Sequence, residues 1–273
     1  MNKKVQRAKH NTALTLLGQA TAWISFSFRK VMIEYVGKKE RTERSDVLMD
    51  FIRRIEANST GIRVLVTNTI KSHYSVYLKL PMGLLLRSCL VDSIQGLYLS
   101  LLSELDFKEN IRNINLDYVN SLRDRFEVYQ DRFEEEALFI DELKSTYGMS
   151  IEDSFPDYID WGEINKITKH FIIAACHRAS LSSMIKSIKN NEQYRGLALK
   201  LNGYYRKYSQ YEHFSQMGHG DSLVPFDDEW PLMAKAYEYV SKAALEIIKN
   251  LSLPIMSFSE IERASKEIKT LCS

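Results

Sequence analysis

The densest run of chemically capable side chains is Tyr204–Gly220, YYRKYSQYEHFSQMGHG. Its imidazoles, His213 and His219, can move protons near neutral pH. Its guanidinium, Arg206, can stabilise developing negative charge. A helical wheel at about 100° per residue, with Tyr211 at zero, puts Tyr204, Ser215, Tyr208 and His219 between about 20° and 80°. Leu197 and Leu201 fall in the same sector, so this stripe continues an apolar one and is expected to face a core. Arg206 and His213 fall near 220° and 200° on the same wheel, on the opposite side. One helix thus offers two candidate sites facing opposite ways. The inner one holds Tyr208, Tyr211, Ser215 and His219; the outer one holds Arg206 and His213. Gly218 and Gly220 are expected to end the helix beside His219, where terminal carbonyls favour imidazolium. Tyrosines on a core face also serve as plain packing, and an outer Arg/His pair can be simply solvated.

A second candidate centres on Arg87 in LLLRSCLVDS. A charge inside an apolar helix requires a partner. Asp92, five residues on and about 140° around the helix, is poorly placed to be that partner. It shares a face with Ser88 and Gln95. Arg87 is expected to reach an acid on another helix, with Glu212 one candidate, or else to seat an anion in the core. Metal spacing is weak: His170 and His177 are seven apart beside Cys176, and neither HExxH nor ExxH occurs. No metal and no cofactor is expected. Walker, GxGxxG and GxSxG motifs are absent, so P-loop, Rossmann and α/β-hydrolase chemistry is unsupported.

The elements that must position these residues are helical. Glycine (11) and proline (5) are scarce in 273 residues, which argues against turn-dense β folds. Apolar residues recur at helical spacing from Leu14, Leu17, Ile24, Phe28 and Val31 onward. The pattern predicts helices over about 11–36, 43–57, 60–79, 81–104, 113–134, 135–147, 163–189, 191–217, 229–251 and 257–271. Gly37 can stop the first, and Pro81 suits the first turn of the fourth. The fourth is apolar nearly all round and belongs at the centre. The stretch 148–162, with Gly148, Pro156 and Gly162, reads as a long ordered loop and a possible sub-boundary. The expectation is an all-α chain, one domain over 1–273, built as a bundle of about nine or ten helices.

Charge is balanced overall at +2 but uneven. Residues 1–44 hold ten bases and three acids; residues 104–142 hold twelve acids and five bases. The first excess could meet an anion or the second excess, in the same chain or a partner. Cys89, Cys176 and Cys272 form no CxxC pair, which fits a reducing cytoplasm. The opening MNKKVQRAKHNTALTLLGQATA mimics a signal peptide, but Thr12, Thr15, Gly18 and Gln19 dilute its apolar stretch. No run of 18 apolar residues occurs, so no membrane span is expected.

Two pieces carry a resemblance: LLLRSCLVD on the apolar helix, and Tyr211-x-x-x-Ser215-x-x-x-His219-Gly220, with Phe214 in the apolar slot before the serine. Together they are similar to uncharacterised bacterial all-helical families with an R-S-x-x-(acid) helix and a late tyrosine–serine–histidine motif. Those families resemble the HEPN superfamily of helical bundles, whose nuclease members use R-x(4–6)-H at a dimer interface. Arg206-x6-His213 fits that spacing. The acid after Arg87 comes one place late, at Asp92; Glu212 stands where a base is usual; and Lys207 follows Arg206. The resemblance implies a HEPN-like core, a homodimer, and a metal-independent ribonuclease of bacterial defence or toxin type. His213 or His219 would be its acid/base and Arg206 its charge stabiliser. The alternative is a non-catalytic bundle that binds a nucleotide, a nucleic acid or a protein. In it Arg87, Tyr208, Tyr211, Ser215 and His219 would line a polar pocket inside the bundle, with Asp92 a further binding candidate.

Overall fold

Leu14, Leu17, Ile24, Phe28 and Val31 are fully buried, along one stripe of a single helix, α1 (Lys3–Val36). It stops where expected: the Gly37 amide bonds back to Ile33 O at 3.3 Å and the Lys38 amide to Tyr35 O at 3.1 Å. A reciprocal cap follows, with the Ser45 amide donating to Thr42 Oγ1 (3.1 Å) and the Thr42 amide to Ser45 Oγ (2.9 Å). Glu43 and Asp46 in the first turn of α2 (Glu43–Lys71) suit the positive end of its dipole.

The computed structural model describes residues 3–71, 75–114, 145, 159–160, 172–173, 179–210, 229–251 and 255–271. Beyond α1 and α2 these contain α3 (Ser75–Ser100), α4 (104–114), β1 (Ile159–Asp160), β2 (Ile172–Ile173), α5 (Leu181–Asn190), α6 (Glu192–Ser209), α7 (Glu229–Lys249) and α8 (Ile255–Leu271). The described part is all-helical apart from one antiparallel two-residue ladder, which pairs Ile159 with Ile173 and Asp160 with Ile172. None of the described helices is long and apolar enough to cross a membrane.

The chain divides into two compact units, residues 1–101 with 181–273, and residues 102–180. In the first, α3 packs against α2, α5, α6 and α7, which bears out its central place. In turn α7 packs on α1, α2, α3, α6 and α8. Gly96 makes the α3–α7 crossing close: a Cβ there would lie 2.6 Å from Ile247 Cδ1 and 3.3 Å from Phe51 Cβ. The second unit contains α4, capped by Ser103, whose hydroxyl donates to Asp106 Oδ2 at 2.6 Å and accepts from the Asp106 amide at 3.2 Å.

Several helix boundaries differ from the expected ones. The helices expected over 43–57 and 60–79 are a single α2 as far as Lys71. Asn58-Ser59-Thr60-Gly61 stays helical instead of turning, and the buried Ser59 hydroxyl is satisfied inside the helix by donating to Ile55 O four residues back (2.6 Å). Gly61 lies against Leu85, with 3.1 Å from a would-be Cβ to Leu85 Cδ1. Pro81 lies inside α3 rather than in its first turn. An interior proline costs about 3 kcal/mol, and burial of Met82, Leu86, Cys89 and Leu90 just beyond it offsets that cost. The helix expected over 163–189 gives way to the extended pair Ile172–Ile173, both β-branched, before α5 begins at Leu181. The helix over 135–147 and the 148–162 loop lie outside the described residues except at 145, 159 and 160.

Candidate nucleic-acid interface

The outer site expected on residues 191–217 is described only as far as Gln210. Asn191 caps α6, its side chain accepting from the Gln193 amide at 3.1 Å. Glu192 occupies the first turn and Arg206 and Lys207 the last, each sign matched to its end of the dipole. Ala198, Leu201 and Tyr208 are buried, so the inward face is the expected one. The helix closes at Ser209, eight residues before the expected end, with Gln210 as its C-cap. Tyr211, His213, Ser215 and His219 lie outside the described residues, as does Glu212.

What α6 does present outward is cationic. On a wheel with Glu192 at zero, Arg195, Leu199, Arg206, Gly203, Gly196, Lys207 and Lys200 span about 140°, from about −60° to about 80°. Arg195, Lys200 and Arg206 are exposed and Lys207 is half-exposed. Lys207 Nζ meets Glu229 Oε2 at 3.0 Å; Lys200 and Arg206 make no ion pair among the described residues. Residues 181–210 hold six bases (Lys186, Lys189, Arg195, Lys200, Arg206, Lys207) and one acid, Glu192. Gly196 and Gly203 sit mid-face, both exposed, with nothing within 4 Å of a would-be Cβ.

Four of the ten bases of residues 1–44 are engaged within the protein. Arg29 Nε donates to Glu56 Oε1 at 2.7 Å and Lys30 Nζ to Glu260 Oε1 at 2.8 Å. Lys38 Nζ bonds Leu251 O (2.9 Å), and Arg44 Nη2 bonds Leu99 O (3.3 Å) and Ser100 O (3.0 Å). These cations tie α1 and α2 to the rest of their unit. Beside them is an apolar groove of about 340 Å³ lined by Gln19, Ala22, Trp23, Phe26 and Arg263. The Arg263 guanidinium lies 5.4 Å from the Trp23 ring centre, and Lys30 Nζ 4.7 Å from that of Phe26. Lys30, then Arg263, hold the half-buried Glu260 carboxyl below its usual range.

The interior candidates point to different neighbours. Arg87 is half-buried rather than enclosed, and its guanidinium carbon lies 5.7 Å from the ring centre of Tyr205 on α6. Asp92 turns the other way, to α2, where Arg54 Nε and Nη2 each approach its Oδ1 at 2.9 Å. The same guanidinium lies 4.4 Å from the Phe51 ring centre. Burial pushes the Asp92 carboxyl up; the Arg54 charge and hydrogen bond oppose that without cancelling it. Tyr208 is fully buried on α6. Arg87 thus faces α6 through Tyr205, whereas Asp92, on the same helix, faces α2.

Sequence reasoning missed a buried network around Cys89, whose sulfur lies 3.8 Å from both Ser59 Oγ and Tyr237 Oη. Burial pushes the Cys89 thiol up to about 12 and the Tyr237 phenol well above its usual value. Such a thiol stays protonated and inert. Among the described residues no group of three His, Cys, Asp or Glu side chains could hold a metal ion. Also missed were Arg195, Gly196, Lys200 and Gly203; their signal is two glycines seven apart inside a helix, framed by bases. No protein-family model, curated protein or solved structure matches the chain.

Proposed function

We infer that this protein binds RNA through the outer face of α6. The observation that carries the reading is the cationic face itself, with Arg195, Lys200 and Arg206 exposed around a bare backbone at Gly196 and Gly203. Glycine inside a helix costs about 1 kcal/mol relative to alanine. Neither glycine relieves a clash within the protein, so that cost needs another reason. At each glycine a second backbone can approach closely, on either side of the exposed Leu199 and Lys200 that lie between them. Cations on both flanks favour a polyanion and oppose self-pairing through this face.

The HEPN-like ribonuclease expected from the motifs is the catalytic form of this reading. Arg206 on the exposed last turn of α6 is its phosphorane-stabilising group. His213 or His219 takes the proton of the attacking 2′-hydroxyl, and a homodimer brings two copies of the motif together. The chain would then act as a metal-independent ribonuclease in bacterial stress or defence. The non-catalytic binding or regulatory bundle uses the same face without cleavage. Incubating the purified protein with RNA, in the absence and presence of a chelator, separates the two. The catalytic form predicts cleavage lost in His213→Ala or His219→Ala and at least tenfold weaker in Arg206→Ala. Tight binding without cleavage leaves the non-catalytic form, and absence of binding removes both.

A further inference from the structure

The helices α6 and α7 run antiparallel, joined by three contacts in reversed order. Tyr194 Oη donates to Glu246 Oε2 at 2.8 Å, the Tyr204 and Tyr239 rings pack 5.7 Å apart at 32°, and Lys207 Nζ meets Glu229 Oε2 at 3.0 Å. The middle contact has a matching frame on both helices. On α6 it reads Lys200-x-x-x-Tyr204-x-x-Lys207, and on α7 Lys235-x-x-x-Tyr239-x-x-Lys242. Offsets of −4 and +3 keep each tyrosine and its two lysines within about 60° of arc. Both tyrosines are half-exposed, so the ring pair sits at the mouth of the seam rather than in the core.

Lys200 and Lys235 are exposed and make no ion pair among the described residues. The other two hold buried acids beneath them: Lys207 holds Glu229, and Lys242 Nζ meets Glu238 Oε1 at 2.6 Å. Lys242 Nζ also lies 5.2 Å from the Tyr239 ring centre. The frame therefore keeps a net positive charge around an accessible aromatic pair. Packing alone does not call for four lysines around two tyrosines, since burial of Ala198, Leu201, Tyr208, Ala236, Tyr237 and Val240 already secures the helices. Aromatic rings ringed by cations are what a single-stranded polynucleotide uses, its bases stacking while its phosphates meet ammonium groups.

Building on the RNA reading of α6, we propose that the α6–α7 seam is a stacking platform for single-stranded polynucleotide. A base lies on the Tyr204/Tyr239 pair, and the phosphates on either side meet Lys200, Lys207, Lys235 and Lys242. The ligand class is thereby narrowed from polyanion to unpaired nucleic acid.

The test uses the full chain and fluorescence anisotropy with four end-labelled probes: a single-stranded oligoribonucleotide, the same length carrying abasic sites, its duplex, and poly-glutamate. The wild type is expected to bind the single strand at least tenfold more tightly than the abasic strand, the duplex or poly-glutamate. That comparison needs no variant. Tyr239→Ala and Tyr204→Ala are expected to weaken the single strand about 5- to 100-fold while leaving the abasic strand little changed. Tyr239→Phe keeps a stacking face and should bind like the wild type. Lys200→Ala with Lys235→Ala should weaken all probes. Equal affinity for the abasic and intact strands, or undiminished binding by the tyrosine variants, overturns the platform and leaves the α6 reading standing. Failure of the wild type to bind any polynucleotide overturns the α6 reading itself.

Discussion

At the scale of the residue, the firmest expectations concern buried groups whose titration the fold has moved. Asp92 holds its proton more tightly in the folded chain than in the unfolded one, because burial outweighs the help of Arg54. The folded state then binds more protons, so this group's contribution to stability is present at acid pH and falls as pH rises through the carboxylate range. Asp92→Asn abolishes that dependence. Urea melts of both proteins should show the variant gaining on the wild type from about pH 4 to pH 7 and ending within about 1 kcal/mol of it. A wild type that instead gains on the variant as pH rises would show that the Arg54 pairing dominates. Cys89, pushed up to about 12, should resist iodoacetamide in the native protein at neutral pH and react once the protein is unfolded in urea. Peptide mass spectrometry reads that difference directly. The sequence made plain that Arg87 needed company, because a guanidinium in LLLRSCLVDS cannot stand alone. It did not reveal Tyr205, since a ring on another helix becomes a neighbour only through tertiary packing.

At the scale of the element, the same substitution is expected to act in opposite directions according to the space around it. Gly196→Ala and Gly203→Ala replace exposed mid-helix glycines with nothing within 4 Å of the new methyl. Each should stabilise the fold by about 0.5–1 kcal/mol. Gly96→Ala drives a methyl to 2.6 Å from Ile247 Cδ1 in a fully buried crossing. Overpacking of this kind costs about 1–3 kcal/mol, which outweighs the gain in helix propensity. Thermal melts of the three variants should therefore separate upward and downward from the wild type. Helical stripes were legible where they were long: Leu14 through Val31, and the all-round apolar α3, fall where their spacing put them. Ends were less legible. Asn58-Ser59-Thr60-Gly61 looks like a turn, but Ser59 is fully buried and Gly61 seats Leu85, so packing carries α2 through. Pro81 looks like a start and is held mid-helix by the burial that follows it. The early close of α6 at Ser209 had no glycine or proline to announce it.

At the scale of the whole molecule, scarcity of glycine and proline made the all-α class legible. The net charge of +2 conceals the cationic face of α6. Six of the chain's bases and only one acid fall within residues 181–210, while four of the ten bases at 1–44 (Arg29, Lys30, Lys38 and Arg44) are bound up in internal contacts. Counting charges along the chain cannot separate those two cases, because the carboxylates and carbonyls that engage Arg29, Lys30, Lys38 and Arg44 lie far away in sequence. A polyanion held by three or four cations of α6 should release counterions, so the logarithm of affinity for single-stranded RNA should fall against the logarithm of salt with a slope of about −2 to −3. The decisive measurement is anisotropy titration of a labelled single-stranded RNA against the wild type and a variant carrying Arg195→Ala, Lys200→Ala, Arg206→Ala and Lys207→Ala. The RNA-binding reading of α6 predicts at least a tenfold loss of affinity and a flattened salt slope in the variant, with the helical content unchanged. Equal binding by the two proteins, or no binding by the wild type at low salt, would contradict it.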